Sequence, residues 1–153
     1  MAVTLKDITL GSDGHLAPAV YWLLSAKDVA KISNGCGPGN WKLDLVPDKI
    51  LGVDLTNACD KHDVCYYYGV TEEDKRLSDR LFLYNCLYDV DRYCEANRII
   101  VRLQRVACRE AVFSYYKAVS DLGHSAFYGK EKEIQNEKII GTDGIVSGSI
   151  DRC

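Results

Sequence analysis

"CDKHDVC", Cys59 to Cys65, sets a histidine beside an aspartate, with a cysteine three residues from His62 on each side. It lies within "DLTNACDKHDVCYYYG", which reads as one helix. Asp54 or Thr56 can cap its start and Gly69 can end it. On a helix, Cys59, His62 and Cys65 recur every three residues, and Tyr66 follows His62 by four, so they share one broad face. Asp63 points about 100° away from His62. The two do not form a mutual pair, and each needs a partner from elsewhere in the chain.

Three readings compete. Cys and His are natural zinc ligands, so Cys59, His62 and Cys65 could hold zinc, but the spacing is tight for one helix and no second Cys/His pair stands at a usual spacing. A structural reading makes both cysteines disulfide partners and His62 a satisfied core residue. The third makes His62 a general base and Asp63 a ligand for a hard cation. It demands a flexible loop presenting carbonyls near the helix, and a second carboxylate to orient the histidine.

Both demands can be met. "GCGPG", Gly35 to Gly39, alternates glycine with other residues, and glycine lets carbonyls turn inward towards an ion. Calcium takes oxygen ligands, including backbone carbonyls and aspartate. A Cys36–Cys59 bridge would tie that loop to the helix one turn before His62. In "RLSDRLFLYNC", Asp79 shares a helical face with Phe82, Leu83 and Cys86. A carboxylate on an apolar stripe is costly unless partnered, and an antiparallel helix pair would bring Asp79 against the motif helix. The alternative is a solvated aspartate at the edge of the stripe.

The combination of "GCGPGN", a later "ACDKHDVCY" and a following helix with "SDRLF" resembles the secreted phospholipase A2 family, closest to its insect-venom and short microbial or fungal types. The resemblance covers residues 34–66 well and 71–94 moderately. It implies a mainly α, small disulfide-linked domain with two long antiparallel helices, a glycine-rich calcium loop and a small β-hairpin. It also implies roles. His62 activates water, and Asp79 orients His62 with support from Tyr66. Asp63 binds calcium together with the carbonyls of Gly35, Gly37 and Gly39. The Gly37 N–H helps hold the oxyanion, and Cys36 and Cys59 are disulfide partners. The implied reaction is calcium-dependent hydrolysis of the sn-2 ester of a glycerophospholipid, releasing a fatty acid and a lysophospholipid. The chain departs from the family at Ala58 and Ser78, where elaborate members carry cysteines, so Cys65 lacks its usual partner. For the family's second supporting tyrosine, Tyr67 and Tyr68 are the candidates. The reading from another class is a catalytically silent phospholipase-like toxin or a receptor- or membrane-binding module; intact His62, Asp63 and Asp79 speak against it.

The rest of the chain fits one domain over residues 1–153. Its 47% hydrophobic and 27% charged content is ordinary for a globular protein. A net charge of −3 gives no general attraction to nucleic acid or to anionic membranes. No apolar run approaches the ~20 residues of a membrane span. "LAPAVYWLL" is broken by Pro18 and has no basic region ahead of it, so it does not read as a signal peptide. Seven cysteines suggest about three disulfides with one thiol left over in a secreted chain, or metal sites in a reducing cytosol, and the count alone does not decide; the resemblance implies the secreted, oxidising setting. The partner expected is a phospholipid aggregate or membrane surface bound peripherally. Trp22 and Trp41 suit that interface, whereas Leu23 and Leu24 read as core.

By organisation, residues 1–16 read as a mixed leader and 18–32 as one helix, with Val20, Leu23 and Leu24 on one face. Residues 33–40 are a loop and 41–53 irregular. "TEED" from Thr71 marks a capped helix to about residue 90 or 93, and a third long helix runs from about 98 to Gly123. The motif-bearing core spans about 33–122, and 123–153 read as loops with a small hairpin.

Overall fold

The computed structural model describes residue 5 and residues 7–33, 47–97 and 101–129. The chain is mainly helical, with two small antiparallel sheets. In order come β1 (Ile8–Leu10), β2 (Leu16–Pro18), α1 (Ala19–Leu23), α2 (Ala26–Ser33), β3 (Lys49–Ile50), β4 (Val53–Asp54), α3 (Thr56–Tyr68), α4 (Glu72–Ala96) and α5 (Val101–Leu122).

The long helices start and stop where local chemistry tells them to. Thr71 and Asp74 form a reciprocal capping box at the start of α4, and Glu72, Glu73 and Asp74 place negative charge at its positive end. Gly69 ends α3, its N–H donating to the Cys65 carbonyl at 2.8 Å. A neutral Leu55 stands at the cap of α3, while the Asp54 carboxylate accepts from the Thr56 N–H at 3.0 Å.

The 18–32 segment is two helices rather than one. Leu24 is extended, and the Ser25 hydroxyl accepts from the Asp28 N–H at 3.2 Å, starting α2 afresh. That turn leaves Leu23 85% exposed, which corrects its assignment to the core. The leader holds a hairpin, with Ile8 opposite Pro18 and Leu10 opposite Leu16. The stretch read as irregular holds a second, closed by Leu51 and Gly52, both at positive φ (47° and 91°), as a tight hairpin turn of matching twist requires. Residues 124–129 are helical, where loops were expected. The hairpin expected further along lies outside the described residues.

Helices α3, α4 and α5 pack as antiparallel neighbours. Along α4, Lys75 reaches Ser120 near the end of α5, whereas Asp91 reaches Arg105 and Arg109 nearer its start. Between them lies the main core, with Phe82, Cys86, Val90 and Cys94 of α4 against Cys108, Val112 and Val119 of α5 and Ala58 of α3. The first hairpin is stitched across this unit. Asn85 bonds both the N–H and the C=O of Leu16 (2.8 and 2.9 Å), and buried His15 meets Asp89 at 2.8 Å.

No disulfide joins the described cysteines: Cys59, Cys65, Cys86, Cys94 and Cys108 all carry free thiols. The disulfide linkage expected of the fold is therefore absent there. Cys59 packs against the main core, while Cys65 sits in a separate cluster with Leu5 and Leu81, so the two motif cysteines look into different places. Cys36 and Cys153 lie outside the described residues; at Cys59 a free thiol stands where the bridge to Cys36 was expected.

Candidate functional site

The site forms where α3 crosses the first turns of α4. On α3, His62 and Tyr66 stand one turn apart and both point inward; they are 7% and 4% exposed. On α4, Asp79 is 3% exposed and faces them. The His62 Nε2 lies 3.1 Å from the Asp79 Oδ1, and the Tyr66 hydroxyl donates to the same oxygen at 2.7 Å. The other carboxylate oxygen, Oδ2, accepts from the ammonium of Lys75 at 2.8 Å. The imidazole ring is boxed by Tyr66 and Phe82, with ring centres 4.2 and 4.9 Å away.

These contacts shift the titration of Asp79 and Tyr66. Burial, the largest single influence on Asp79, works against its charge. Hydrogen bonds from His62 and Lys75, the charge of His62 and the Tyr66 hydroxyl outweigh it and hold the carboxyl below its ordinary value. A carboxylate only accepts, so the His62 Nε2 carries a hydrogen towards Asp79. Burial, then the charge of Asp79 and the bond to it, pushes the Tyr66 phenol well above its ordinary value, so it stays a donor.

His62 meets not Asp63 but Asp79, seventeen residues on. Asp63 is half-buried on the neighbouring face of α3. Its charge reaches Cys59, Cys65 and Tyr66. Around Cys59, burial first and then Asp63, Asp48, Asp60 and Asp54 push the thiol up to about 12. This part of the surface is thus acidic, and Asp63 supplies the oxygen chemistry a hard cation prefers. The carbonyl donors expected at Gly35, Gly37 and Gly39, the Gly37 N–H and Trp41 lie outside the described residues. Among the described residues, no cluster of His, Cys, Asp and Glu could hold a metal ion. Zinc at Cys59, His62 and Cys65 has no geometric support, because Nε2 is committed to Asp79 and the cysteines enter separate clusters.

Tyr67 and Tyr68 do not serve Asp79; their rings pack edge to face on each other at 5.0 Å. Sequence reasoning missed Lys75. The signal was available, since Lys75, Asp79, Phe82 and Cys86 form one stripe at offsets of four, three and four. It also missed the backing of the site, where Phe127 packs edge-on to Tyr66 at 5.2 Å.

Beside the site, Tyr21, Trp22, Leu24, Ala26, Val29, Ala30 and Asp60 line an open, largely apolar pocket of about 320 Å³. Asp60 stands one turn before Asp63, so the pocket opens on the Asp63 side of α3. The ammonium of Lys61 supports its wall from below, 4.7 Å from the Tyr21 ring centre and 5.3 Å from that of Trp22. Among the described residues, no helix is long and apolar enough to cross a membrane. Compared with models of protein families, with curated proteins and with solved structures, the chain gives no match.

Proposed function

We propose that the protein is a calcium-dependent phospholipase A2 that hydrolyses the sn-2 ester of glycerophospholipids. The observation that carries the reading is the buried His62–Asp79 contact at 3.1 Å with the Tyr66 hydroxyl on the same oxygen. It is a base with an orienting carboxylate, arrived at from a motif whose sequence resembles that family.

In this reading the Nδ1 of His62 takes a proton from water as the water attacks the ester carbonyl. Asp79 holds the ring in the tautomer that exposes Nδ1 and stabilises the imidazolium that forms, much as the aspartate of a serine-protease triad serves its histidine. Tyr66 keeps Asp79 from rotating away. The same proton then passes from His62 to the departing alcohol. Asp63, with the carbonyls of Gly35, Gly37 and Gly39, would hold calcium, which when bound polarises the carbonyl and offsets charge growing on its oxygen. The exposed Trp22 and Leu23 and the adjoining apolar pocket suit contact with a lipid surface. A secreted or otherwise oxidising setting remains part of the proposal, resting on the cysteine count and the resemblance.

The test is release of fatty acid from mixed phospholipid–detergent micelles with and without calcium. Wild type should release it only with calcium. His62→Gln should abolish release yet keep calcium affinity by calorimetry, and Asp63→Asn should lose both. Wild-type turnover by His62→Gln with the same calcium dependence would sink the reading.

A further inference from the structure

Lys75 is a lysine on an apolar stripe, with its side chain only 2% exposed. An ammonium in such a place is costly unless every donor is used. All three are: one to the Asp79 Oδ2 at 2.8 Å, one to the Ser120 carbonyl at 3.1 Å and one to the Val119 carbonyl at 3.3 Å. Those carbonyls belong to the last turn of α5, at the negative end of the helix dipole, and the Val119 carbonyl also accepts from the Gly123 N–H at 2.9 Å. Lys75 is thus held between the end of one helix and the carboxylate that faces His62.

The two oxygens of Asp79 are divided. Oδ1 serves His62 and Tyr66, and among the described residues Oδ2 serves Lys75. A carboxylate gripped on one oxygen cannot turn about its Cβ–Cγ bond without breaking that grip. The aim of Oδ1 at the imidazole is therefore set from behind, by Lys75.

We propose that Lys75 is a positioning residue: its grip on the Asp79 Oδ2 holds Oδ1 on the His62 ring, and so ties turnover to the docking of the end of α5. The inference rests on the phospholipase reading and assigns a part of that site which the sequence motif does not contain. Lys75 touches no reacting atom; it acts through Asp79.

The experiment is a double-mutant cycle on micelle hydrolysis with Lys75→Met, Asp79→Asn and the double variant, in saturating calcium. Lys75→Met should lower kcat by about 10- to 100-fold, the scale of a small misplacement of catalytic groups. The micelle KM and the calcium affinity should stay within about twofold. On the Asp79→Asn background the same change should alter kcat less than about threefold, because the group it acts through is already disabled. Equal fold-losses in both backgrounds, or a Lys75→Met enzyme with wild-type kcat, would overturn the proposal. If Lys75→Met alone fails to fold, the double variant carries the test. Turnover matching Asp79→Asn supports the role, and a further tenfold loss overturns it. A wild type that releases no fatty acid in calcium overturns the phospholipase reading itself. The grip is then judged by urea denaturation of the same variants, where a double variant no more stable than the sum of the single changes allows would remove it too.

Discussion

Replacing Gly123 by alanine should destabilise this protein, although glycine-to-alanine changes beside a helix often do the reverse. A Cβ at residue 123 would lie 2.2 Å from the Val119 carbonyl oxygen and 2.5 Å from the Tyr66 hydroxyl. Both atoms are already engaged in hydrogen bonds. The hydroxyl donates to Asp79 at 2.7 Å, and the Val119 carbonyl accepts from the Gly123 N–H and from Lys75. To restore ordinary contact the hydroxyl must retreat by about 0.9 Å, which takes it out of hydrogen-bonding range of Asp79. A hydrogen bond to a charged group is worth about 1.5–3 kcal/mol. Shifting the carbonyl costs about 1–3 kcal/mol, as overpacking does. Alanine returns about 0.4–1 kcal/mol by restricting the unfolded chain. The net loss is about 2–5 kcal/mol. Urea denaturation followed by far-ultraviolet circular dichroism reads it. The same change in a Tyr66→Phe background should cost less by about the hydrogen-bond share, since the clashing hydroxyl and its bond are both gone. A Gly123→Ala protein as stable as wild type, or an equal loss in both backgrounds, would refute the placement of Tyr66 against the end of α5.

Acid should weaken the anchor between the first hairpin and α3. Although burial is the largest influence and opposes it, hydrogen bonds from Lys61, the His15 N–H and Asn57, with the charge of Lys61, hold the Asp13 carboxyl down to about 2 from 3.8. Its folded value lies below its unfolded one, so the stabilisation is present above pH 3.8 and is lost as pH falls towards 2. The stability gap between wild type and Asp13→Asn should therefore shrink from pH 5 to pH 2, and a flat gap would contradict the Lys61–Asp13 contact. The motif thiols should be inert in the reduced, folded protein. Burial chiefly, helped by nearby carboxylates, pushes Cys59 and Cys65 up to about 12 from 9.0. At pH 8 that cuts the reactive thiolate fraction about 1,000-fold. Alkylation by iodoacetamide with peptide mapping should show both far slower than in urea; similar rates would place them at the surface.

The parts of the site that were legible in the sequence are those fixed by helical periodicity. His62, Tyr66 and Asp79 could be set face to face because offsets of three and four survive folding into a helix, and Gly69 and Thr71 mark the turn that makes α3 and α4 antiparallel. Within the first 33 residues the same reasoning overlooked "SAKD", Ser25 to Asp28, where Ser25 and Asp28 bond each other and restart the helix. The hairpins went unread because strands of two or three residues carry no periodicity to detect. The two buried lysines were hidden for a different reason. Lysine is almost never buried unless paired, so a sequence offers solvent as its default address. What buries Lys61 is a carboxylate 48 residues away, and what buries Lys75 is the end of a helix more than 40 residues on. The local partners, Asn57 four residues before Lys61 and Asp79 four after Lys75, can be read from spacing, but these distant ones cannot. A buried histidine and its aspartate can thus be read from a motif, while the cation on the aspartate's other oxygen is decided by which helix end arrives beside it. The charge balance of the site belongs to the tertiary structure: one carboxylate, one ammonium and one imidazole share a space that admits almost no water, and the ammonium is supplied with its second set of partners only when α5 docks.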